Sequence, residues 1–335
     1  MTNLKKVLPT RVIKALKKIK SREQLKKLYK KDYRLFLNSF TVDLKDSSLE
    51  QLESSMMFYA HALEKGISHT NFRKEFGLSH LMKLSTCLEI YHLREYDRNK
   101  EKYLITLAAI QQYKSAHEER GYDTSFMSKY FNKSVARNID FADGSFAGIT
   151  SVYNLEKSNN QEKNLKELVK GRVSVREFCK SPVSRDKIKN AIVIALKTPS
   201  ACNRQPSRVY LIDNQCKMES VLDLQGGFNG FALPPVLLLV TASTRSFLQP
   251  IERNEGFIDG GLFSMSLLYG LEYEGLGACA LNAMLSVERE NKIREILAIP
   301  EDEVFIMFIA VGNFKVKTNV PKSKRVSLDS IFREI

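Results

Sequence analysis

The spacing of the apolar residues changes midway along the 335-residue chain. Up to about residue 120 they recur every three or four positions, which is typical of helices, and strand-like alternation is absent. From residue 165 onward, short helical segments alternate with continuous apolar runs at 235–240 and 304–311, which are typical of buried strands. The sequence therefore predicts an all-α N-terminal region followed by layered helices and strands, an α+β chain. The candidate helices of the first half are 49–63, 79–91 and 101–117.

A polar stretch separates the two patterns. Residues 158–163 read Ser-Asn-Asn-Gln-Glu-Lys and are the most linker-like segment of the chain. We expect a basic helical arm over 1–40, a helical region with its linker over 41–160, and a second domain over 161–335. A chain of this length is typical of two domains.

Positive charge is concentrated at the start of the chain. Residues 1–36 carry 13 Lys or Arg against two acids, a net charge of +11 out of the total +14. Val12, Leu16 and Ile19 recur at helical spacing among these cations, which predicts one or two basic amphipathic helices. Such an arm fits either a solvated helix or peripheral contact with an anionic membrane. It contains no base-reading module, so we expect no nucleic-acid partner.

Other residue distributions exclude several classes of protein. Apolar stretches fall short of the roughly 18–20 residues that span a bilayer, and the N-terminus is too charged for a secretory signal. The five cysteines form no CxxC pair, which indicates a reducing compartment, and we expect a cytoplasmic protein. All five histidines lie within the first 117 residues. The second half therefore has no histidine of its own for a Ser-His-Asp or Cys-His nucleophile or for a metal, and we expect no metal site.

Three separated pieces of the second half could serve one anionic, flat ligand. The triplet Arg172-x-Ser174-x-Arg176 offers guanidinium forks and a hydroxyl, which suit a phosphate. Gly275-Leu276-Gly277 and residues 280–283 are small enough to allow close backbone approach. Lys322-Ser323-Lys324-Arg325 is a second cationic group. Each piece alone also fits a structural role, as a solvated patch, a helix C-cap or a basic tail.

Together with the loop 198–206, these pieces resemble the nitroreductase family of FMN-dependent oxidoreductases. The family pattern Arg-x-Ser-x-Arg-x-Phe followed by Pro-Val stands at 172–183, and Ala-Pro-Ser-x-x-Asn-x-Gln-Pro stands, with Thr198 first, at 198–206. The chain departs from the family at Ser207, where an aromatic residue is usual, and at Asn282-Ala283, where some members have Glu-Gly. These departures leave the electron acceptor open. The resemblance spans about 165–335 and implies a three-layer α/β/α domain.

The resemblance implies FMN at a homodimer interface, with hydride passing from NAD(P)H to a small-molecule acceptor in a ping-pong scheme. Arg172 and the cations near the C-terminus would neutralise the phosphate, and Arg176 would reach the flavin edge near N1 and O2. An amide of Asn282 or Ala283 would donate to N5, and the loop from Pro199 would reach the partner's flavin. The chemistry is carried by the flavin, so no catalytic side chain is expected. The implied cofactor-binding residues are Arg172, Val173, Ser174, Arg176, Pro199, Ser200, Ala201, Asn203, Gln205, Asn229, Ala280, Leu281, Asn282, Ala283, Lys322, Lys324 and Arg325.

The first half carries a looser resemblance. Residues 61–66 (His-Ala-Leu-Glu-Lys-Gly) and Phe76-Gly77 are similar to a helical extension of nitroreductase-like proteins linked to surface-polysaccharide genes. A structural interpretation of His61, Glu64 and Lys65 is a hydrogen-bonded cluster at a helix end. Two other functions stay open: a narrower reduced-flavin reaction such as dehalogenation or flavin fragmentation, and a low-turnover flavin-fold scaffold recruited to a membrane-associated, polysaccharide-related assembly.

Overall fold

A computed structural model describes residues 9–335 of the chain, which forms two compact units. Of the described residues, the sheet unit contains 9–39 and 155–315. The helical unit contains residues 40–154 and 316–335. Both units are discontinuous in sequence. The sequence-based division into the continuous ranges 1–40, 41–160 and 161–335 stays a prediction. The difference arises because residues 9–39 belong to the sheet unit and the last twenty residues belong to the helical unit.

The regular elements follow in chain order. The α-helices are α1 Thr10–Leu37, α2 Leu49–Ile67, α3 Leu78–Leu93, α4 Glu101–Glu118, α5 Lys133–Asp140, α6 Leu165–Gly171, α7 Arg185–Ala195, α8 Gln215–Gln225, α9 Glu255–Tyr273 and α10 Val287–Leu297. The strands are β1 Ile149–Tyr153, β2 Ser207–Ile212, β3 Val236–Ser243, β4 Leu276–Asn282, β5 Glu303–Asn313 and β6 Lys317–Pro321.

The sheet unit is built around an antiparallel sheet in the order β2-β3-β5-β4. Successive residues of β3 point to opposite faces, so Leu238 and Val240 pack with α7 and α9 while Leu237 and Leu239 pack with α8 and α10. Every residue of β3 is buried, which explains its continuous apolar run. The predicted α/β/α layering is confirmed.

The helical unit packs α2, α3 and α4 around a core that includes Leu52, Leu88 and Ile110. The three helices predicted for this region are confirmed. The structure adds a strand that the sequence pattern did not indicate, β1, which pairs antiparallel with β6. Its partner lies more than 160 residues away, so local spacing carries no sign of it.

One helix-end cluster agrees with the structural interpretation of the sequence. Glu64 is 4% exposed, and its Oε1 accepts a hydrogen bond from the Gly148 amide at 3.0 Å. His61 Nδ1 lies 3.6 Å from the other carboxylate oxygen, Oε2. The pair therefore ties α2 to the segment that enters β1.

The basic arm forms a single helix, α1, of which no described residue is buried. Residues 1–8 of the predicted arm lie outside the described residues. Arg253 of the sheet unit holds α1 by a two-pronged ion pair with Asp32, with both nitrogen–oxygen distances 2.6 Å. Within residues 9–335, no helix combines the length and the apolar character needed to cross a bilayer.

Candidate functional site

The segment that carries Arg172, Ser174 and Arg176 leaves a short helix and runs beside a sheet edge. A capping box between Asn164 and Glu167 starts α6, and the Arg172 amide donates to the Leu168 carbonyl at 2.9 Å where the helix ends. Ser174 then forms a parallel bridge with Ala278 of β4, and the Val175 amide donates to the Ala278 carbonyl at 2.9 Å. The three predicted ligand residues, with Val173, are therefore held along the edge strand β4.

Arg176 has the most informative side chain of this segment. Its Nε and Nη1 atoms are buried and find no hydrogen-bond partner among the described residues. Leaving charged donors buried and unpaired is costly, so the side chain fits a ligand that brings acceptor atoms. The pyrimidine edge of a flavin, with its carbonyl oxygens and N1, has that chemistry. The residues present fit the implied cofactor on this point.

Two glycines let the segment lie close against the sheet. A Cβ atom at Gly312 would fall 2.5 Å from Cγ of Phe178, and one at Gly277 would fall 3.2 Å from Cγ1 of Val175. The small residues at 275–277 predict close approach of a ligand to the backbone. The structure differs at Gly277, where the space is filled by Val175 of the chain itself.

The end of β4 gathers a second set of predicted residues. Gln225 Nε2 donates to the Asn282 carbonyl at 3.0 Å, while Gln225 Oε1 accepts from the Gly227 amide at 2.7 Å. This bridge places the turn that carries Asn229 beside the end of β4. Asn282 Oδ1 also accepts from the Met284 amide at 3.1 Å, which closes the turn around Ala283.

Two predicted residues of β4, Ala280 and Leu281, pair with β5 within the sheet. Leu281 is buried and pairs in register with Phe308, and Ala280 pairs with Ile309. A ligand could reach their main chain but not the Leu281 side chain.

The loop 198–206 forms another group, before β2. Cys202, Asn203 and Gln205 have left-handed backbones, with φ of 51°, 57° and 50°. Such backbone conformations are unfavourable for residues other than glycine, and they persist where surrounding contacts hold them. Here the Ser200 hydroxyl accepts from the Gln205 amide at 3.0 Å. Both carboxylate oxygens of Asp259 lie 3.2 Å from the Ala201 amide nitrogen.

A cleft of about 170 Å³ opens beside this loop. Predicted residues Pro199, Ser200 and Gln205 line it together with Asp259. The hydroxyl oxygen of Thr198, also at the cleft, is buried without a hydrogen-bond partner among residues 9–335. Asp259 is not among the residues predicted from the sequence, although an acid flanked by the apolar residues Phe257, Ile258 and Leu262 of α9 was a usable signal.

The two groups lie at opposite edges of the sheet. The loop leads into β2 at one edge, and Arg172–Arg176 runs beside β4 at the other, with β3 and β5 between them. From β2 to the Arg172–Arg176 segment there are four strand spacings, three within the sheet and one beyond β4, which amount to about 19 Å. In register, Ala278 beside Ser174 aligns with Val311 and then with Val236, which lies beyond Ile212 at the C-terminal end of β2. The loop leads into the other end of β2 at Ser207, so the two groups are also offset along the strands.

The C-terminal cations belong to the helical unit. The Lys322 amide donates to the Gly148 carbonyl at 2.9 Å, and its Nζ lies 3.4 Å from the Gly144 carbonyl. Lys324 Nζ lies 5.4 Å from the centre of the Phe146 ring, and Arg325 donates to the Ser323 carbonyl. Their predicted role at the phosphate stays a prediction.

Comparison with known proteins supports the family resemblance. Residues 169–229 match the model of the Nitroreductase family. Among curated proteins, none matches this sequence.

Solved structures similar to this chain cover about half of it. A nitroreductase family protein from Streptococcus pneumoniae is 21% identical, with 51% of this chain and 100% of that chain covered and a TM-score of 0.44. A proposed NADH dehydrogenase/NAD(P)H nitroreductase from Parabacteroides distasonis is 23% identical, with 51% and 98% covered and a TM-score of 0.45. A proposed NAD(P)H:FMN oxidoreductase from Staphylococcus epidermidis is 17% identical, with 52% and 96% covered and a TM-score of 0.46.

The matched segment contains both the Arg172–Arg176 motif and the loop 198–206. The predicted resemblance of the second half to the nitroreductase family is confirmed. A helical region precedes it, as predicted.

Proposed function

We propose that this protein is an FMN-dependent oxidoreductase that passes hydride from NAD(P)H to a small-molecule acceptor in a ping-pong scheme. The observation that carries the proposal is that Arg176 has buried donors without hydrogen-bond partners among the described residues. Arg176 lies within the segment that matches the nitroreductase family. Among residues 9–335, no cluster of His, Cys, Asp or Glu could hold a metal ion.

FMN, when bound, supplies hydride transfer at its N5 atom. Arg176 would stabilise negative charge at the pyrimidine edge and so favour the reduced state. Arg172, with Lys322, Lys324 and Arg325, would neutralise the phosphate, which suits the planar fork of a guanidinium. A main-chain amide at Asn282 or Ala283 would orient the ring, and the surrounding small residues would exclude water.

The test uses the visible spectrum of the purified protein and the variant R172A/R325A. The wild type should retain FMN through dialysis. NADH or NADPH should then bleach the absorbance at about 450 nm, where oxidised flavins absorb. The double variant should lose FMN and stay folded. The control K166A/K170A removes two positive charges from α6 and should keep its flavin. Full flavin retention by R172A/R325A, or a wild type that FMN cannot reconstitute, would contradict the proposal.

We further propose an obligate homodimer with shared sites. In one chain, the loop 198–206 and Arg176 lie at opposite sheet edges, about 19 Å apart by strand spacing, so a second copy is needed to bring both groups to one flavin. The outer face of α9 supports this arrangement, because Ile258 and Leu262 are about half exposed and Gly261 faces open space. Exposed apolar faces of this kind are typical of interfaces.

Light scattering of the flavin-loaded protein tests the dimer. The expected mass is twice 38.3 kDa at micromolar concentration. Replacement of Leu262 by Lys should shift the protein to monomers and lower its FMN content together. A flavin-loaded monomer would contradict this proposal while leaving the cofactor assignment intact.

For α1 we propose peripheral contact of a cytoplasmic protein with an anionic membrane. At 100° per residue, Leu25, Leu28 and Asp32 share the side that meets Arg253. The opposite side is exposed. It carries an apolar row and then a basic row: Val12, Leu16, Ile19, Lys26, Lys30 and Arg34. Such a face can bury apolar groups in the headgroup region while its cations meet anionic lipid.

Co-sedimentation with vesicles of mixed phosphatidylcholine and phosphatidylserine tests this contact. Binding should rise with the anionic fraction and fall with salt. The variant K26Q/K30Q/R34Q should bind weakly, whereas K166Q/K170Q/K189Q, with the same net charge, should bind like the wild type. Equal binding by both variants, or no binding by the wild type, would contradict the membrane proposal. The scaffold alternative predicts the same membrane binding without NAD(P)H bleaching, so the two tests together separate it from the enzyme.

A further inference from the structure

A buried ion pair lies beside Gly171, next to the proposed phosphate ligand Arg172. Lys157 and Glu272 have side chains that are 6% and 3% exposed, and Lys157 Nζ lies 2.6 Å from Glu272 Oε1. The same ammonium donates to the carbonyl oxygen of Gly171 at 2.5 Å. Gly171 is the last residue of α6 and the neighbour of Arg172. The roles proposed for the flavin site do not use this pair.

The surroundings hold the ammonium in one place. Asn160 Nδ2 donates to the Glu272 carbonyl at 2.5 Å and to Glu272 Oε1 at 3.2 Å, which fixes the carboxylate. On another side, Lys157 Nζ lies 5.3 Å from the centre of the Phe314 ring, a distance at which a cation and an aromatic face attract. Lys157 and Asn160 therefore anchor to the sheet unit a stretch whose composition is typical of a linker.

The C-terminus of α6, where Lys157 donates to the Gly171 carbonyl, depends on contacts from outside the helix. α6 has seven residues, and helices of that length are marginal without tertiary contacts. The last carbonyls of any helix lack partners within the helix, and a lysine that donates to one of them stabilises the terminus. The Gly171 carbonyl belongs to the peptide that leads into Arg172. The position of Lys157 therefore sets the direction in which Arg172 leaves the helix.

A role in positioning explains why the pair is buried. Removing two charges from water costs several kcal/mol per ion in general, so a buried pair contributes little net stability compared with apolar packing. It does fix geometry, because either partner alone would be left as an uncompensated charge. A guanidinium recognises a phosphate through two parallel hydrogen bonds, a geometry that tolerates little displacement.

We infer that Lys157, held by Glu272 and Asn160, is a positioning residue that aims Arg172 at a phosphate monoester and so makes the site prefer FMN over riboflavin. The inference rests on the proposed flavin function and adds a determinant of ligand choice. Lys157 and Asn160 lie outside the segment 169–229 that matches the family model. The determinant therefore belongs to the part of the chain that precedes the matched segment.

The test compares FMN with riboflavin, which differs only in lacking the phosphate. Dissociation constants of both ligands are measured by flavin fluorescence on the full-length wild type, on K157M and on K170M. In K157M the FMN constant should rise about tenfold and the riboflavin constant should stay within about twofold, because one charge-assisted contact is disordered. K170M removes the same charge from the exposed end of α6 and should keep the wild-type preference.

A second variant covers the case in which K157M does not fold around the unpaired Glu272. K157M/E272Q removes both charges and leaves an amide that can still meet Asn160. A folded double variant with reduced FMN preference supports the inference. The inference is overturned if the ratio of the two constants is unchanged in either folded variant, or if both affinities fall equally, as a merely structural pair would cause. A wild type that binds neither flavin contradicts the proposed function instead, so the two failures are distinguishable.

Discussion

Both carboxylate oxygens of Asp259 lie 3.2 Å from the amide nitrogen of Ala201. Asp259 is 4% exposed and projects from α9, so a long helix of the sheet unit holds the loop that precedes β2. The loop needs such an anchor because three of its non-glycine residues are left-handed. Its conformation is therefore set by α9 as much as by its own sequence.

Removing this anchor should destabilise the sheet unit. In D259A the Ala201 amide loses its acceptor, and such a loss costs about 1–3 kcal/mol of unfolding free energy. D259N keeps one oxygen acceptor and should lose less. Chemical denaturation followed by circular dichroism measures both variants. An unfolding free energy of D259A equal to that of the wild type would show that the loop is held by other contacts.

Arg176 should set the redox potential of the bound flavin. In R176A the positive charge next to the pyrimidine edge is lost, and the two-electron potential should become more negative by about 30 mV for each 1.4 kcal/mol of lost stabilisation. R176K keeps the charge and should shift less. Spectroelectrochemical titration of the FMN-loaded variants measures the potential. As a control, R185A removes a cation that pairs with Asp213 and should leave the potential unchanged.

The ion pair between Arg204 and Glu252 should contribute to acid stability. Hydrogen bonds from Arg204 and from the Leu248 and Gln249 amides lower the pKa of Glu252 to about 2. Because the folded pKa lies below the ordinary 4.5, this contribution is complete above about pH 4.5 and is lost as the pH falls toward 2. The difference in unfolding free energy between the wild type and E252Q should therefore shrink as the pH falls from about 4.5 toward 2. A constant difference between them at every pH would contradict the assignment.

Thiol labelling should report both burial and dimer formation. Burial raises the pKa of Cys87 to about 12, so iodoacetamide should leave it unmodified in the folded protein. Cys202 and Cys216 are exposed in the single chain. In the flavin-loaded dimer Cys202 should react several-fold more slowly, because its loop faces the partner, while Cys216 on α8 serves as the internal control. Mass spectrometry of the digested protein gives the rates, and equal protection of both would exclude loop-specific shielding.

Local sequence predicted much of the sheet unit because burial there follows simple periods. The continuous apolar run around 235–240 predicted β3, since both faces of that strand are covered by helices. Ser184 is the N-cap of α7, a position that serine favours, and its hydroxyl accepts from the Lys187 amide. The residues at 172–178 and 198–206 were placed in the flavin motifs by their order and spacing, and the family match spans both.

Tertiary structure decided the features whose partners are distant in the chain. The stretch 158–163 has the composition of a linker, yet Asn160 is buried because Glu272, 112 residues further on, supplies its acceptors. β1 exists because β6 pairs with it, and neither strand has an alternating pattern strong enough to predict the other. Composition and periodicity determine which residues become buried and whether they lie in a helix or a strand, because burial and element type depend on residues that are near in sequence. The partner of a buried charge, or of an edge strand, is chosen only when the chain folds back on itself, and this decided where Lys157, Asp259 and Arg176 lie.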